Sequence, residues 1–176
     1  FYYVQLTGID RPSWPYFRDA QRQLQEQIPG SRMAVTLDLG DSLNVHPVKK
    51  KEVGDRLARL ALHYTYKQPV AADGPLPQTA WQQGRNIVVS FAFAQQLSTN
   101  DKQPLTGFEL VTDKGIRLPA FASTRKNQVL IQVPEGVNIK KVAYAWEPFT
   151  RANMVNEAGL PASTFILSLK EPEKTN

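Results

Sequence analysis

The sequence predicts two structural parts: an α/β segment over residues 1–68 and a small antiparallel β module over residues 85–170. A linker at 69–84 joins them and a tail at 171–176 follows. Three observations carry this. In the first third, short strand-like runs alternate with apolar residues at helical spacing. A cluster of Pro and Gly then interrupts all periodicity. Beyond it the period falls to two, with turn residues between the runs.

The elements follow in order. Tyr2 to Leu6 is an apolar, β-rich run, so the chain opens on what reads as a core strand already in progress, as if a segment preceded it. Ser13 is placed to cap a helix with Pro15 in its first turn, and Phe17, Ala20, Leu24 and Ile28 mark one helical face that Pro29-Gly30 ends. Met33 to Leu39 is a continuous apolar run suited to a strand buried on both faces. Val53, Leu57, Leu60, Ala61 and Tyr64 mark a second helix from about Val48 to Tyr66. Strand, helix, strand, helix implies a right-handed α/β crossover. Two strands do not make an independent sheet, so this one needs partners upstream.

Pro69, Gly74, Pro75, Pro77 and Gly84 break any regular element, and Trp81 reads as a linker anchor. Six strands are expected beyond: Asn86 to Phe93, Gly107 to Thr112, Arg117 to Thr124, Gln128 to Val133, Lys141 to Trp146 and Phe165 to Leu169. Their length and spacing suggest a sandwich or jelly-roll-like module. The charged tail is expected to fray.

Composition excludes several classes. An apolar fraction of 41%, with 8 Phe, 6 Tyr and 3 Trp, is that of a globular chain and not a disordered one. The net charge of +5 is spread along the sequence, and the only basic run is Lys49-Lys50-Lys51, so the footprint of a nucleic-acid binder is missing. The absence of cysteine removes thiolate nucleophiles, disulfides and Cys-based zinc sites. His46 and His63 are the only histidines, and no carboxylate pattern joins them into a metal site. No Gly-rich phosphate loop exists, and no cofactor is expected.

His63 lies in the second helix beside Tyr64, where a structural role is the expected one. His46 follows a buried strand through the loop Gly40 to Val45 and precedes a helix that Pro47 helps to start. Ligands of α/β sheets bind outside the carboxyl ends of strands. A histidine there can take a proton from a nucleophilic hydroxyl; the alternative is a loop histidine that caps the helix. Arg18 and Gln21, one turn apart, can bridge to the sheet or to Asp38. Arg18 is also a candidate sugar contact, and Gln5, at a strand end, a candidate to line the cleft. Trp146, Asn153 and Asn156 are expected to fix the β module against the α/β segment.

Several separated stretches resemble one family in the same order along the chain. They are Phe1-Tyr2-Tyr3-Val4-Gln5-Leu6 with Trp14 and Phe17 to Gln21; Met33 to Asp41, with Val45-His46-Pro47, Lys50, Val53-Gly54 and Arg56-Leu57-Ala58; and Tyr144-Ala145-Trp146, Asn153 to Asn156 and Gly159-Leu160-Pro161-Ala162. Together they are similar to the C-terminal portion of the sialate O-acetylesterase family, within the SGNH-hydrolase superfamily. The resemblance implies a flavodoxin-like α/β sheet, an accessory β domain, an O-acetylated sugar such as sialic acid as substrate, and His46 as general base of a serine/histidine mechanism. Relatives of that kind imply an extracytoplasmic location.

Two departures stand out. The family's Gly-x-Ser-Asn nucleophile block is not among these residues, so the resemblance implies a serine in an upstream segment and a chain inactive by itself. The acid that many relatives carry two residues before the histidine is replaced by Asn44, whose amide can orient an imidazole but cannot stabilise imidazolium by charge. Asp41 is the nearest carboxylate and Asp38 the next; a carboxylate from the upstream segment, or a dyad without an acid, are the other options. The competing function is a non-catalytic carbohydrate-binding or structural β module.

Overall fold

The computed structural model describes residues 1–170; the tail expected at 171–176 lies outside the described residues. β1 (Tyr2–Val4) and β2 (Arg32–Ala34) pair in parallel, Tyr2 opposite Arg32 and Val4 opposite Ala34. Between them runs α1 (Trp14–Gln27), with Pro15 in its first turn as expected, although Ser13 makes no side-chain cap. The strand expected over Met33 to Leu39 stops at Ala34, and Leu37–Leu39 form a 3₁₀ turn. At the break the Thr36 hydroxyl donates to the Gln5 carbonyl at 2.6 Å, doing with a side chain what the ladder no longer does. α2 (Lys50–Leu60) continues as a π-helical turn over Ala61–Thr65. It seats fully buried Leu60 against Ala34 and Ala72.

α1 reverses the expected orientation. Its apolar residues Phe17, Leu24 and Ile28 are 55%, 39% and 48% exposed, whereas Arg18, Asp19 and Arg22 are buried. Asp19 and Arg22 satisfy one another at 2.8 Å, and Arg18 meets backbone carbonyls of the β region. What lies beneath the helix is polar backbone, so the polar face turns inward and the apolar stripe is left uncovered.

The β region comprises β3 (Leu76–Gln83), β4 (Asn86–Ala92), β5 (Ser98–Thr99), β6 (Phe108–Thr112), β7 (Arg117–Pro119), β8 (Ala122–Arg125), β9 (Gln128–Gln132), β10 (Ile139–Tyr144), β11 (Met154–Val155) and β12 (Phe165–Lys170). Eight of them form one sheet in the order β7-β6-β10-β12-β3-β4-β9-β8, and β11 pairs with β5 apart from it. Two expectations are corrected here. The segment assigned as linker contains β3, an eight-residue strand; Pro77 fits because the register shifts between Pro77 and Thr79. Trp81 is therefore a strand residue, opposite Val88 and Lys170. The pairing is also not wholly antiparallel, since β12 and β3 run parallel at Leu169–Ala80 and Lys170–Trp81.

The strand expected over Arg117 to Thr124 breaks at Ala120-Phe121. Its halves become β7 and β8, the two opposite edges of the sheet. Edges separated by two residues must lie close, so the sheet curls. Ala120 N–H donates to Phe108 O beside one edge, and Gln132 N–H to Phe121 O beside the other. The curl closes over one core containing Ile87, Val89 and Ile131 from one half and Leu110, Val142 and Phe165 from the other. Phe91, Phe108, Tyr144 and Phe165 form its aromatic centre. Leu37, from the 3₁₀ turn, enters the same core and fixes the start of the His46 loop to the β region.

Candidate functional site

The loop from Gly40 to Lys49 is held by its own side chains. Asp41 Oδ1 accepts the N–H of Leu43 at 2.8 Å and of Asn44 at 3.1 Å. Asn44 Oδ1 accepts the N–H of His46 at 2.9 Å. Two successive Asx turns thus fix the backbone up to His46. The loop is tied to the segment after β1 by the Asp10 N–H, which donates to Ser42 O at 3.0 Å, and by the Thr7 hydroxyl, which donates to Val45 O at 3.4 Å. The two backbones also touch: a Cβ on Gly40 would lie 2.3 Å from the Gly8 carbonyl oxygen. Gly40 has an ordinary extended φ of −77°, so the close approach, and not its conformation, demands glycine there.

His46 emerges from this frame with an exposed side chain, and no hydrogen bond joins its ring to another group among the described residues. Asp38, Asp41, Asn44 and His46 line one cleft of about 130 Å³. They are brought together, but the expected partnership is not made here. Asp41 and Asn44, expected to orient the imidazole, serve the loop backbone instead. Asp38 is held bidentately by Arg56 at 2.6 and 2.7 Å, with Arg56 also on the Val35 carbonyl. Arg56 enters from the sequence only as part of the family resemblance, with no role, and Thr7 was not singled out. Arg56 had a readable signal, a cation on the inner side of the helix that follows the loop; Thr7 had none.

The other two candidates lie elsewhere. Gln5 is 1% exposed, and its amide donates to Ser163 Oγ at 2.5 Å. Arg18 is fully buried. It donates through Nε to Thr164 Oγ1 at 2.8 Å, through Nη1 to Pro148 O at 2.8 Å, and through Nη2 to Ala145 O and Glu147 O. Burial without a carboxylate pushes its pKa down to about 10, which leaves it charged at neutral pH. Both residues therefore join the α/β segment to the β region, and the structure corrects their placement in the cleft. Tyr16 on α1 packs edge-on against Trp146 at 5.2 Å across the same junction. Asn153 instead pins the β region to itself, through Asp101 and Thr106, and Asn156 holds the Asp73 and Phe93 carbonyls.

That geometry has a counterpart. The chain superposes on XAC1771, a carbohydrate acetylesterase from Xanthomonas citri. The match has a TM-score of 0.87 at 25% identity and covers 95% of this chain. It spans 40% of the neighbour's length. No family model matches the chain, and no curated protein does. The curled eight-stranded sheet with its two helices is thus the fold of part of a carbohydrate esterase.

His63 sits at the far end of α2, where its Nδ1 is 2.8 Å from the Val70 carbonyl. Its neighbour Tyr64 donates to Asp73, and the Arg32 guanidinium stacks over the Tyr64 ring at 4.4 Å. This is a joint between the π turn and the chain leading to β3. Among the described residues, no three His, Cys, Asp or Glu side chains come together as a metal site, and no helix is long and apolar enough to cross a membrane.

Proposed function

We propose that this chain is the histidine-bearing part of a carbohydrate O-acetylesterase of the sialate O-acetylesterase kind. The carrying observation is that an exposed imidazole, with a locked backbone and a ring free of other bonds, stands at a cleft in a fold shared with a carbohydrate acetylesterase. A base must present a free ring nitrogen to the nucleophile, and rigid placement is what makes it effective.

In the proposed reaction His46 removes the proton from a serine hydroxyl, and the serine oxygen attacks the acetyl carbonyl. The tetrahedral intermediate expels the sugar oxygen, which His46 protonates. Water, deprotonated by the same imidazole, then releases acetate from the acyl-enzyme. The serine belongs to a preceding segment of the α/β part, which also packs against the uncovered Phe17, Leu24 and Ile28 stripe of α1. Two things support that segment: the neighbour is much longer than the matched region, and a helix face of this apolarity is covered in a complete sheet. The orienting partner of His46 comes with that segment as well, because Asp41, Asn44 and Asp38 are engaged elsewhere. The same reading carries an extracytoplasmic location.

The test is His46→Ala in the protein that includes the preceding segment, assayed on acetylated sugar. The expected fall in kcat/KM is on the order of a thousandfold or more, with melting unchanged because the ring makes no bond. Near-normal turnover by His46→Ala would refute the assignment.

A further inference from the structure

Three cavities adjoin one another along this face. The His46 cleft shares Asp38 and Gly40 with a polar cavity of about 230 Å³, lined further by Asn100, Asp101 and Arg151. That cavity shares Thr150, Arg151 and Ala152 with a third, of about 340 Å³, lined by Glu109, Glu147 and Trp146. The result is a trough that starts at the imidazole and crosses onto the β region. One atom in it accepts no hydrogen bond: Glu109 Oε2 is buried, and its ion-pair partner Arg117 Nη1 stays 3.6 Å away. A buried carboxylate oxygen left open calls for a ligand or a water.

The lining suggests what the ligand is. Carboxylates and a guanidinium accept from and donate to vicinal hydroxyls, while Trp146 and Phe149 give apolar surface for the C–H faces of a ring. The charge selects further. Asp38 faces Arg56 and Glu109 faces Arg117, which leaves Asp101 and Glu147 against Arg151. The balance disfavours an anion. We propose that this trough binds the neutral sugar residues attached to the acetylated one, so that the enzyme acts on oligosaccharides and the β region supplies their binding site. The proposal rests on the esterase reading for the position of the ester, but binding in the trough does not require the reaction.

Two measurements in the protein that includes the preceding segment separate these. The first is calorimetric binding of unacetylated xylotetraose, with tetragalacturonate as the anionic comparison. The second is kcat/KM on partially acetylated xylotetraose relative to 4-nitrophenyl acetate. Arg151→Ala and Glu109→Gln are the variants; Arg151 is exposed and Glu109→Gln keeps its shape, and melting temperature verifies folding. The expected results are tetraose binding that weakens about fivefold or more in each variant, a tetragalacturonate affinity about tenfold weaker, and a substrate preference for the oligosaccharide that drops about tenfold. The proposal is overturned by equal tetraose affinity in wild type and variants, by no binding at about ten millimolar, or by tighter binding of the anionic oligomer. If wild type cleaves neither ester but still binds tetraose through Arg151, the esterase reading fails and the trough stands.

Discussion

Arg18→Met gives the sharpest test of how the two parts of the fold are joined. The guanidinium makes four hydrogen bonds across the junction. Truncation does not orphan every acceptor equally. Ala145 O still receives the Thr164 hydroxyl at 3.1 Å, and Pro148 O still receives the Ile9 N–H at 3.3 Å. Glu147 O keeps no protein partner, which costs about 1 kcal/mol at a part-buried position that water can reach. Loss of the three other charge-assisted bonds adds about 3 kcal/mol, partly offset because a cation without a carboxylate no longer has to be buried. The net expectation is about 3 kcal/mol. With a urea slope of about 2 kcal/mol/M, the unfolding midpoint falls by about 1.5 M. Tryptophan fluorescence follows it, since Trp146 lies at the junction against Tyr16. Arg18→Lys is expected to lose nearly as much, because a single ammonium cannot reach Thr164 and Glu147 together. A midpoint shift under about 0.3 M for Arg18→Met would mean that the junction is held by apolar contact and not by this residue.

Two further substitutions probe the frame around the site. Gly40→Ala drives a Cβ into the Gly8 backbone, so the His46 loop must separate from the segment after β1; a loss of about 2 kcal/mol or more is expected, with a matching loss of the proposed esterase activity in the protein that includes the preceding segment, and a variant of wild-type melting temperature contradicts this. At Asp73, burial holds the carboxyl above its ordinary value of 3.8, outweighing the Tyr64 hydroxyl and Arg32 that favour its ionised form. The folded state therefore binds this proton more tightly than the unfolded one, and stability falls as pH rises through the window above 3.8. Asp73→Asn should flatten that part of the profile; wild type and variant with parallel melting curves across about pH 4 to pH 7 would exclude the effect.

The parts that were legible in the sequence are those where local pattern and burial agree. Five of the six expected strands in the β region stand close to where alternation put them, because each turns one face to the curled core. β3 was hidden because Pro75, Pro77 and Gly84 outweighed the alternation between them; a strand tolerates Pro77 only with a register shift, which depends on its partner β4. The division of Arg117 to Thr124 was hidden for a similar reason. Nothing local says that two halves of one apolar stretch pair with opposite edges of a sheet. α1 misled most plainly. Its apolar spacing gave the right helix and the wrong inner face, since the side facing the protein is decided by carbonyls at Ala145, Glu147 and Pro148, more than a hundred residues away.

His46 shows the same boundary at the scale of a site. Its position after an expected buried strand singled it out, and the structure places it exposed at a cleft after a strand that stops at Ala34. Its partners could not be read, because a carboxylate two to five residues away in a loop can serve the ring or the backbone with equal ease. Here Asp41 and Asn44 serve the backbone, which holds the main chain at His46 while its exposed ring is left without a partner among the described residues. The frame comes first: Gly40 sets the close approach, Asp38 is locked by Arg56, and the two Asx turns carry that order to the backbone of His46. The alternative reading of this histidine was as a cap for α2. The helix begins at Lys50 with no side-chain cap at all, so the histidine does not cap it.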